Sequence, residues 1–114
     1  MHYQPQLTRK DFEKIHTQAD WRYKAAGCAA SACRNQFEKA RLGLIAGKKP
    51  LPLAVSRNRF KRIAREVFRA YQQKLRGLDV IITARAPVQD LRASELKTSL
   101  EQLLSKLTAC ASSS

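Results

Sequence analysis

Val55-Ser56-Arg57-Asn58-Arg59-Phe60-Lys61-Arg62-Ile63-Ala64-Arg65-Glu66-Val67-Phe68-Arg69 is the stretch that decides how this chain folds. Lys and Arg hold six of its fifteen positions, yet its apolar residues keep a helical spacing. At about 100° per residue, Phe60, Ile63, Ala64, Val67 and Tyr71 fall on one side, which is the stripe a globular core requires. The basic groups take what is left. Arg57, Lys61 and Arg65 follow at i, i+4 and i+8 and form one ridge. Asn58, Arg62 and Arg69 lie on its outer flank, and Arg59 is nearer the opposite edge. Asn58 offers both a donor and an acceptor. Ser56 is placed to cap the helix, which is predicted to run to about Leu75 before Gly77 ends it.

Like charges at i, i+4 repel by about 0.2–0.5 kcal/mol per pair. Glu66, placed to pair with Arg62 or Arg69, is the only acid within the run. A solvated face is the plain use of a charge run, but a surface that keeps this much repulsion points to a polyanion. Guanidinium groups fork onto phosphate oxygens and stack on bases, which favours nucleic acid over an acidic protein.

The whole chain agrees. Its 114 residues carry a net charge of +13 and a pI near 10.3, with 44% hydrophobic residues. That length suits one domain burying about two-thirds of its unfolded surface. The charge implies strong, salt-sensitive attraction to nucleic acid or to an anionic membrane. No apolar run approaches the roughly 18 residues of a bilayer span. Met1-His2-Tyr3-Gln4-Pro5-Gln6 has neither a charged leader nor an apolar export segment, so the cytoplasm is the expected location. Cys28, Cys33 and Cys110 are odd in number and lack a Cys-x-x-Cys pattern or a nearby histidine, so they are expected to be buried or half-buried thiols rather than metal ligands. His2 and His16 stand singly. The nine acids, Asp11, Glu13, Asp20, Glu38, Glu66, Asp79, Asp90, Glu95 and Glu101, are scattered over different segments. No metal cage, glycine-rich phosphate loop or nucleophile with a base is legible, so the pattern is that of a binder, with no catalytic residue assigned to the polypeptide.

From the N-terminus, Thr8 and Asp11 form a capping pattern for a first helix with Phe12 and Ile15 on one face and His16 one turn beyond Phe12. Phe12 suits either core packing or base stacking. Trp21 and Tyr23 either stack on bases or cover a sheet edge. Ala25 to Cys33 favours a helix by propensity apart from Gly27. Arg34-Asn35-Gln36 has turn character and predicts a hairpin into Phe37 to Ala46, where Leu42, Leu44 and Ala46 alternate with Arg41, Gly43 and Ile45. Pro50 and Pro52 force the chain to turn before the basic helix. Val80-Ile81-Ile82 is apolar on both faces, the mark of an interior strand. Leu96, Leu100, Leu103, Leu104 and Leu107 make a helical core stripe, and residues 108 to 114 lose all periodicity, as a flexible tail does.

Four ordered segments resemble one known family. Arg57-Asn58-Arg59, Lys61-Arg62, Arg65-Glu66 and Phe68-Arg69 are similar to the signature helix of the bacterial ribonuclease P protein component. Leu7 to Ile15 resembles that family's first helix, Arg41-Leu42-Gly43-Leu44 its second strand, and Gly77 to Arg85 its final strand, followed by a leucine-spaced helix. The match spans about residues 7 to 107, the expected ordered core of a single domain. The resemblance makes Ala25 to Cys33 a strand. It implies an α+β two-layer sandwich of order α-β-β-β-α-β-α with a left-handed βαβ crossover about the basic helix. It also implies a ribonucleoprotein endoribonuclease whose RNA subunit is catalytic and removes the 5′ leader of precursor tRNA with Mg2+, the protein being an accessory subunit. By the same resemblance Arg57, Asn58, Arg59, Lys61, Arg62 and Arg65 contact the RNA, Lys48 and Lys49 add phosphate contacts, and Phe12 and His16 line a leader cleft beside the sheet. The family's cleft-facing strand carries larger, partly aromatic residues. Here it is mostly alanine, with Ala30 roughly where an aromatic is common.

Two other readings share some features. A ribosomal-type structural RNA-binding protein would have the same charge without an effect on tRNA processing. A DNA-binding regulator would need a helix and tight turn before the basic helix, where Pro50 and Pro52 stand instead.

Overall fold

The computed structural model describes residues 7–112, with side chains as far as Cys110. The N-terminal hexapeptide and residues 113–114 lie outside the described residues. The elements are α1 (Arg9–Gln18), β1 (Trp21–Ala25), β2 (Cys28–Arg34), β3 (Arg41–Ile45), α2 (Ala54–Tyr71), β4 (Leu78–Ala84), a 3-10 turn (Val88–Asp90) and α3 (Ala93–Ser112). The α+β order expected from the sequence is the one observed.

Thr8 caps α1 as its spacing predicts. Its hydroxyl accepts from the Asp11 amide at 3.2 Å, and its own amide donates to Asp11 Oδ2 at 2.8 Å. The alanine-rich segment is extended rather than helical, but it is not one strand: Ala25 ends β1 and β2 begins only at Cys28. A tight turn at Ala26 and Gly27 folds β2 back on β1, with Ala25 opposite Cys28 and Trp21 opposite Ala32. Gly27 has φ +77, where a side chain would be strained, and a Cβ there would meet Leu91 at 2.5 Å.

The expected hairpin from Arg34-Asn35-Gln36 into Phe37 to Ala46 does not form. The sheet order is β1-β2-β4-β3, so β4 lies between β2 and β3, antiparallel to the first and parallel to the second. The reason is burial. β4 is apolar on both faces and all but Thr83 of it is buried, so it takes an interior slot. Adjacency along the chain cannot show that a later strand will enter between two earlier ones.

Alternation then assigns the faces. Cys28, Ala30, Ala32, Leu42, Val80, Ile82 and Ala84 point into the main core beneath α2 and α3. The helices meet them with Phe60, Ile63, Ala64, Val67 and Phe68 from α2 and the five predicted leucines of α3, all buried. Tyr71, predicted for the core stripe, is only partly buried and bonds Ser105 at 3.0 Å. Phe68 was not part of that stripe. It lies about 80° round the helix from Phe60, between the core and the basic ridge. On the opposite face, α1 covers a smaller cluster of Leu7, Ile15, Cys33 and Ile81, with Phe12 and Ala19 against it. The sandwich of sheet with α2 and α3 therefore carries a further helix on its other side.

α2 begins earlier and ends sooner than expected. Leu53 is its N-cap and no side chain caps it. Ser56 sits a turn inside, because nothing beyond Pro52 prevents helix from starting there. Regular helix stops at Tyr71, and overlapping turns carry the chain to Gly77, φ +84, keeping Leu75 fully buried. α3 runs on to Ser112, past Leu107 where the leucine spacing stops. Its last turns are held partly by Cys110, whose Sγ lies 2.7 Å from the Tyr23 hydroxyl. Trp21 and Tyr23 pack against the main core at the sheet edge, which is the structural of their two uses.

Candidate RNA-binding site

The face of the sheet that α1 only partly covers forms a cleft of about 240 Å³. Phe12, Glu13 and His16 of α1 make one wall; Ser31 of β2, Ile81 and Thr83 of β4 and Ile45 of β3 make the floor and far wall. Helical spacing puts Phe12 and His16 on one side of α1, and strand alternation turns Ser31, Ile81, Thr83 and Ile45 away from the main core. Phe12 lies close on the sheet because residue 43 is glycine. A Cβ at Gly43 would stand 2.5 Å from Phe12 Cζ and 2.9 Å from Leu7 Cδ1. The structure thus brings Phe12 and His16 into one cleft, whose sheet surface carries two isoleucines and two hydroxyls.

Ala30 is not part of it. It is 1% exposed within the α2 and α3 core, and the small residues on the cleft side of β2 are Ala29, Ser31 and Cys33. Successive residues of a strand face opposite sides, so Ala30 faces the core and its neighbours Ala29 and Ser31 face the cleft side. Glu13, Ser31, Ile45, Ile81 and Thr83 were not assigned to the cleft from sequence. Of these, Thr83 was accessible to the alternation argument, since it falls on the face opposite Val80 and Ile82.

One end of the cleft face is closed by a polar network. Arg41 donates to both Asp79 oxygens, at 2.7 Å from Nε and 2.6 Å from Nη2, and reaches Asp11 at 3.4 Å. Asn35 Nδ2 also donates to Asp79, at 2.7 Å. These bonds tie α1, β3, β4 and the segment between β2 and β3 together. The Thr8 amide holds the Asp11 carboxyl below its ordinary range, with Arg41 adding to the effect. Hydrogen bonding to Asp79 raises the Arg41 guanidinium further. Arg22 Nη2 donates to the His16 carbonyl at 2.6 Å and fixes the other end of α1.

The basic helix lies on the other side of the sheet. Asn58, Arg59, Arg62 and Arg65 are exposed, while Arg57 and Lys61 are half-buried. Arg57 has a structural task as well: its Nη1 donates to the Leu51 and Pro52 carbonyls at 2.9 and 3.0 Å, tying the proline loop to the helix. Arg59 projects toward Leu51, Val88 and Leu96 around a cavity of about 40 Å³, apart from the ridge. Glu66 makes no ion pair among the described residues, contrary to the pairing expected with Arg62 or Arg69. The run is therefore less compensated than its sequence suggests. Lys48 and Lys49 are exposed in the turn that follows cleft-lining Ile45, so the loop leads from the cleft to the start of α2.

Among the described residues no group of three or more His, Cys, Asp or Glu side chains could hold a metal ion. Asp11 and Asp79 are already engaged by Arg41. The cysteines form no disulfide; burial pushes the Cys28 thiol up to about 11 and also raises Cys33. Among the described residues no helix is long and apolar enough to cross a membrane.

The family model for ribonuclease P matches residues 5–108. The chain belongs to the ribonuclease P protein family. The ribonuclease P protein component of Alcanivorax borkumensis is 34% identical over 103 residues, 90% of this chain and 85% of that protein. That of Ectopseudomonas mendocina is 37% identical over 101 residues, 89% of this chain and 75% of its own. The solved Staphylococcus aureus RNase P protein superposes with a TM-score of 0.81 at 29% identity, covering 89% of this chain and 93% of that one. The Thermotoga maritima RNase P protein shares the fold, with a TM-score of 0.76 at 23% identity over 90% of this chain and 97% of its own. As a ribonuclease P protein, the chain is the protein subunit of a ribonucleoprotein endoribonuclease in tRNA 5′-end processing, and ribonuclease P RNA is its partner.

Proposed function

We propose that the two faces of the sheet divide the work of this subunit. The ridge of Arg57, Lys61 and Arg65, with Asn58, Arg59 and Arg62 beside it and Lys48 and Lys49 in the preceding loop, contacts the catalytic RNA. The cleft of Phe12 and His16 takes the single-stranded 5′ leader of precursor tRNA. The observation that carries this reading is the cleft itself: an aromatic and an imidazole, with Glu13 between them, stand over a sheet surface of two isoleucines and two hydroxyls, in a protein of net charge +13. Bases stack on the aromatic and the hydroxyls meet their polar edges, while cations along the loop follow the phosphates. Each phosphate neutralised releases counterions and makes binding salt-dependent.

Cleavage belongs to the RNA subunit. Mg2+ would be held by RNA, where it would supply an activated water and offset phosphate charge; the carboxylates of this chain are scattered over different elements, and Asp11 and Asp79 are engaged with Arg41. The arginines lower repulsion between RNA segments near that site, and the complex acts in the cytoplasm. The test is cleavage of precursor tRNA at low magnesium by a bacterial ribonuclease P RNA alone, the protein alone and both together. Efficient cleavage at the mature 5′ end by the mixture alone is expected. An RNA activity unchanged by the protein would overturn the assignment, and cleavage by the protein alone would place chemistry on the polypeptide.

A further inference from the structure

Phe37 is 56% exposed, in the segment that joins β2 to β3. A single exposed phenylalanine is ordinary, but this one is held. The Arg41 guanidinium lies over its ring, 4.6 Å from the centroid. That guanidinium is itself fixed by two short bonds to Asp79, which is buried. The Phe37 amide donates to Asn35 Oδ1 at 2.8 Å, and the Asn35 side chain is anchored on Asp79 and on the Lys39 carbonyl. One ring face thus rests on a cation, the other meets solvent, and little freedom remains to be surrendered on binding.

The surroundings name the ligand. Glu38, Lys39 and Ala40, the residues that follow Phe37, line with Gln72, Gln73 and Arg76 a groove of about 290 Å³, and the Phe37 carbonyl lies close to Gly77, next to Arg76. Lys39 and Arg76 suit phosphates and the two glutamine amides suit base edges or ribose hydroxyls; Glu38 is its one acid. A π face with cations and amides beside it fits an unpaired nucleotide.

We propose that Phe37, with Lys39 and Arg76, is a second RNA contact of this protein, a platform on which an unpaired base of ribonuclease P RNA stacks. It lies at the C-terminal end of α2, roughly 27 Å along the helix from the Arg57 end at 1.5 Å per residue. Neither Phe37 nor any residue of the groove lines the cleft. The RNA subunit is therefore the partner committed to, and the platform extends its footprint along the whole of α2.

The proposal rests on the partnership with ribonuclease P RNA and not on the leader cleft. Its test is the affinity of the full chain for ribonuclease P RNA and, separately, for a leader oligonucleotide, each over a range of salt. Phe37→Leu, which keeps bulk but removes the π face, is expected to weaken RNA binding about fivefold or more, leaving the salt slope unchanged. Phe37→Trp should bind at least as tightly as the parent. Lys39→Gln with Arg76→Gln should lower the slope of log affinity against log salt by about 0.7–0.9 for each phosphate no longer neutralised. Leader affinity should not move in any variant. The platform is overturned if Phe37→Leu matches the parent on RNA, if Leu and Trp weaken binding alike, or if the weakening falls on the leader. A parent chain that fails to bind ribonuclease P RNA would instead sink the partnership itself.

Discussion

The hydrogen atom that serves as the side chain of Gly43 sets the depth of the cleft. Phe12 occupies the space a larger residue would need, so Gly43→Ala must push the ring and Leu7 away from the sheet. The expected cost is about 1–3 kcal/mol, read as a lower melting temperature, together with weaker binding of a leader oligonucleotide. A variant with unchanged melting and binding would mean that the ring moves freely. Asp11 makes a second prediction at this scale. Its folded pKa lies below the ordinary value of 3.8, mainly through the Thr8 amide. Its stabilisation is thus full above that value and disappears as pH falls through the lowered one. Melting temperatures measured from pH 6 downward should fall on that acid limb, and Asp11→Asn should shallow it by starting from a lower plateau. Both residues were legible only in part. The Thr8 and Asp11 pattern is local and was read correctly, whereas the packing of Phe12 on Gly43 joins residues 31 positions apart and leaves no local trace.

At the scale of elements, α2 shows how one basic ridge carries two tasks. Among the described residues Lys61 and Arg65 make no hydrogen bond or ion pair through their side chains, but Arg57 holds the Leu51 and Pro52 carbonyls. Arg57→Ala should therefore lower stability by about 1–2 kcal/mol. Lys61→Ala and Arg65→Ala should stay within about 0.5 kcal/mol of the parent. Each of the three should reduce the salt slope of binding to ribonuclease P RNA by about 0.7–0.9 if it meets a phosphate. Thermal melts beside salt titrations separate the two effects; equal melting of all three variants would remove the structural task from Arg57. Periodicity gave α2 and α3 their inward faces because burial repeats every turn. It missed Phe68, which borders the cationic ridge, and placed the cap at Ser56, since a hydroxyl near a helix start does not say where the backbone first closes a turn.

Across the whole molecule, the chain's own pattern determined the apolar stripes, the interior character of β4 and a charge that calls for nucleic acid. These follow from local spacing and from summed charge, which need no knowledge of which residues meet. The alanine-rich stretch, by contrast, has a helical propensity, and only the family resemblance placed a strand there. Only the tertiary structure decided that β4 lies between β2 and β3, that Ala30 faces the core while Ser31 faces the cleft, and that Glu66 forms no ion pair with its neighbouring arginines. It alone joined Phe12 and His16 to Ser31, Ile45, Ile81 and Thr83, and set Phe37 on Arg41. Strand partners, sheet faces and polar networks are fixed by the burial of distant segments against one another, and that competition is settled only when the whole chain packs.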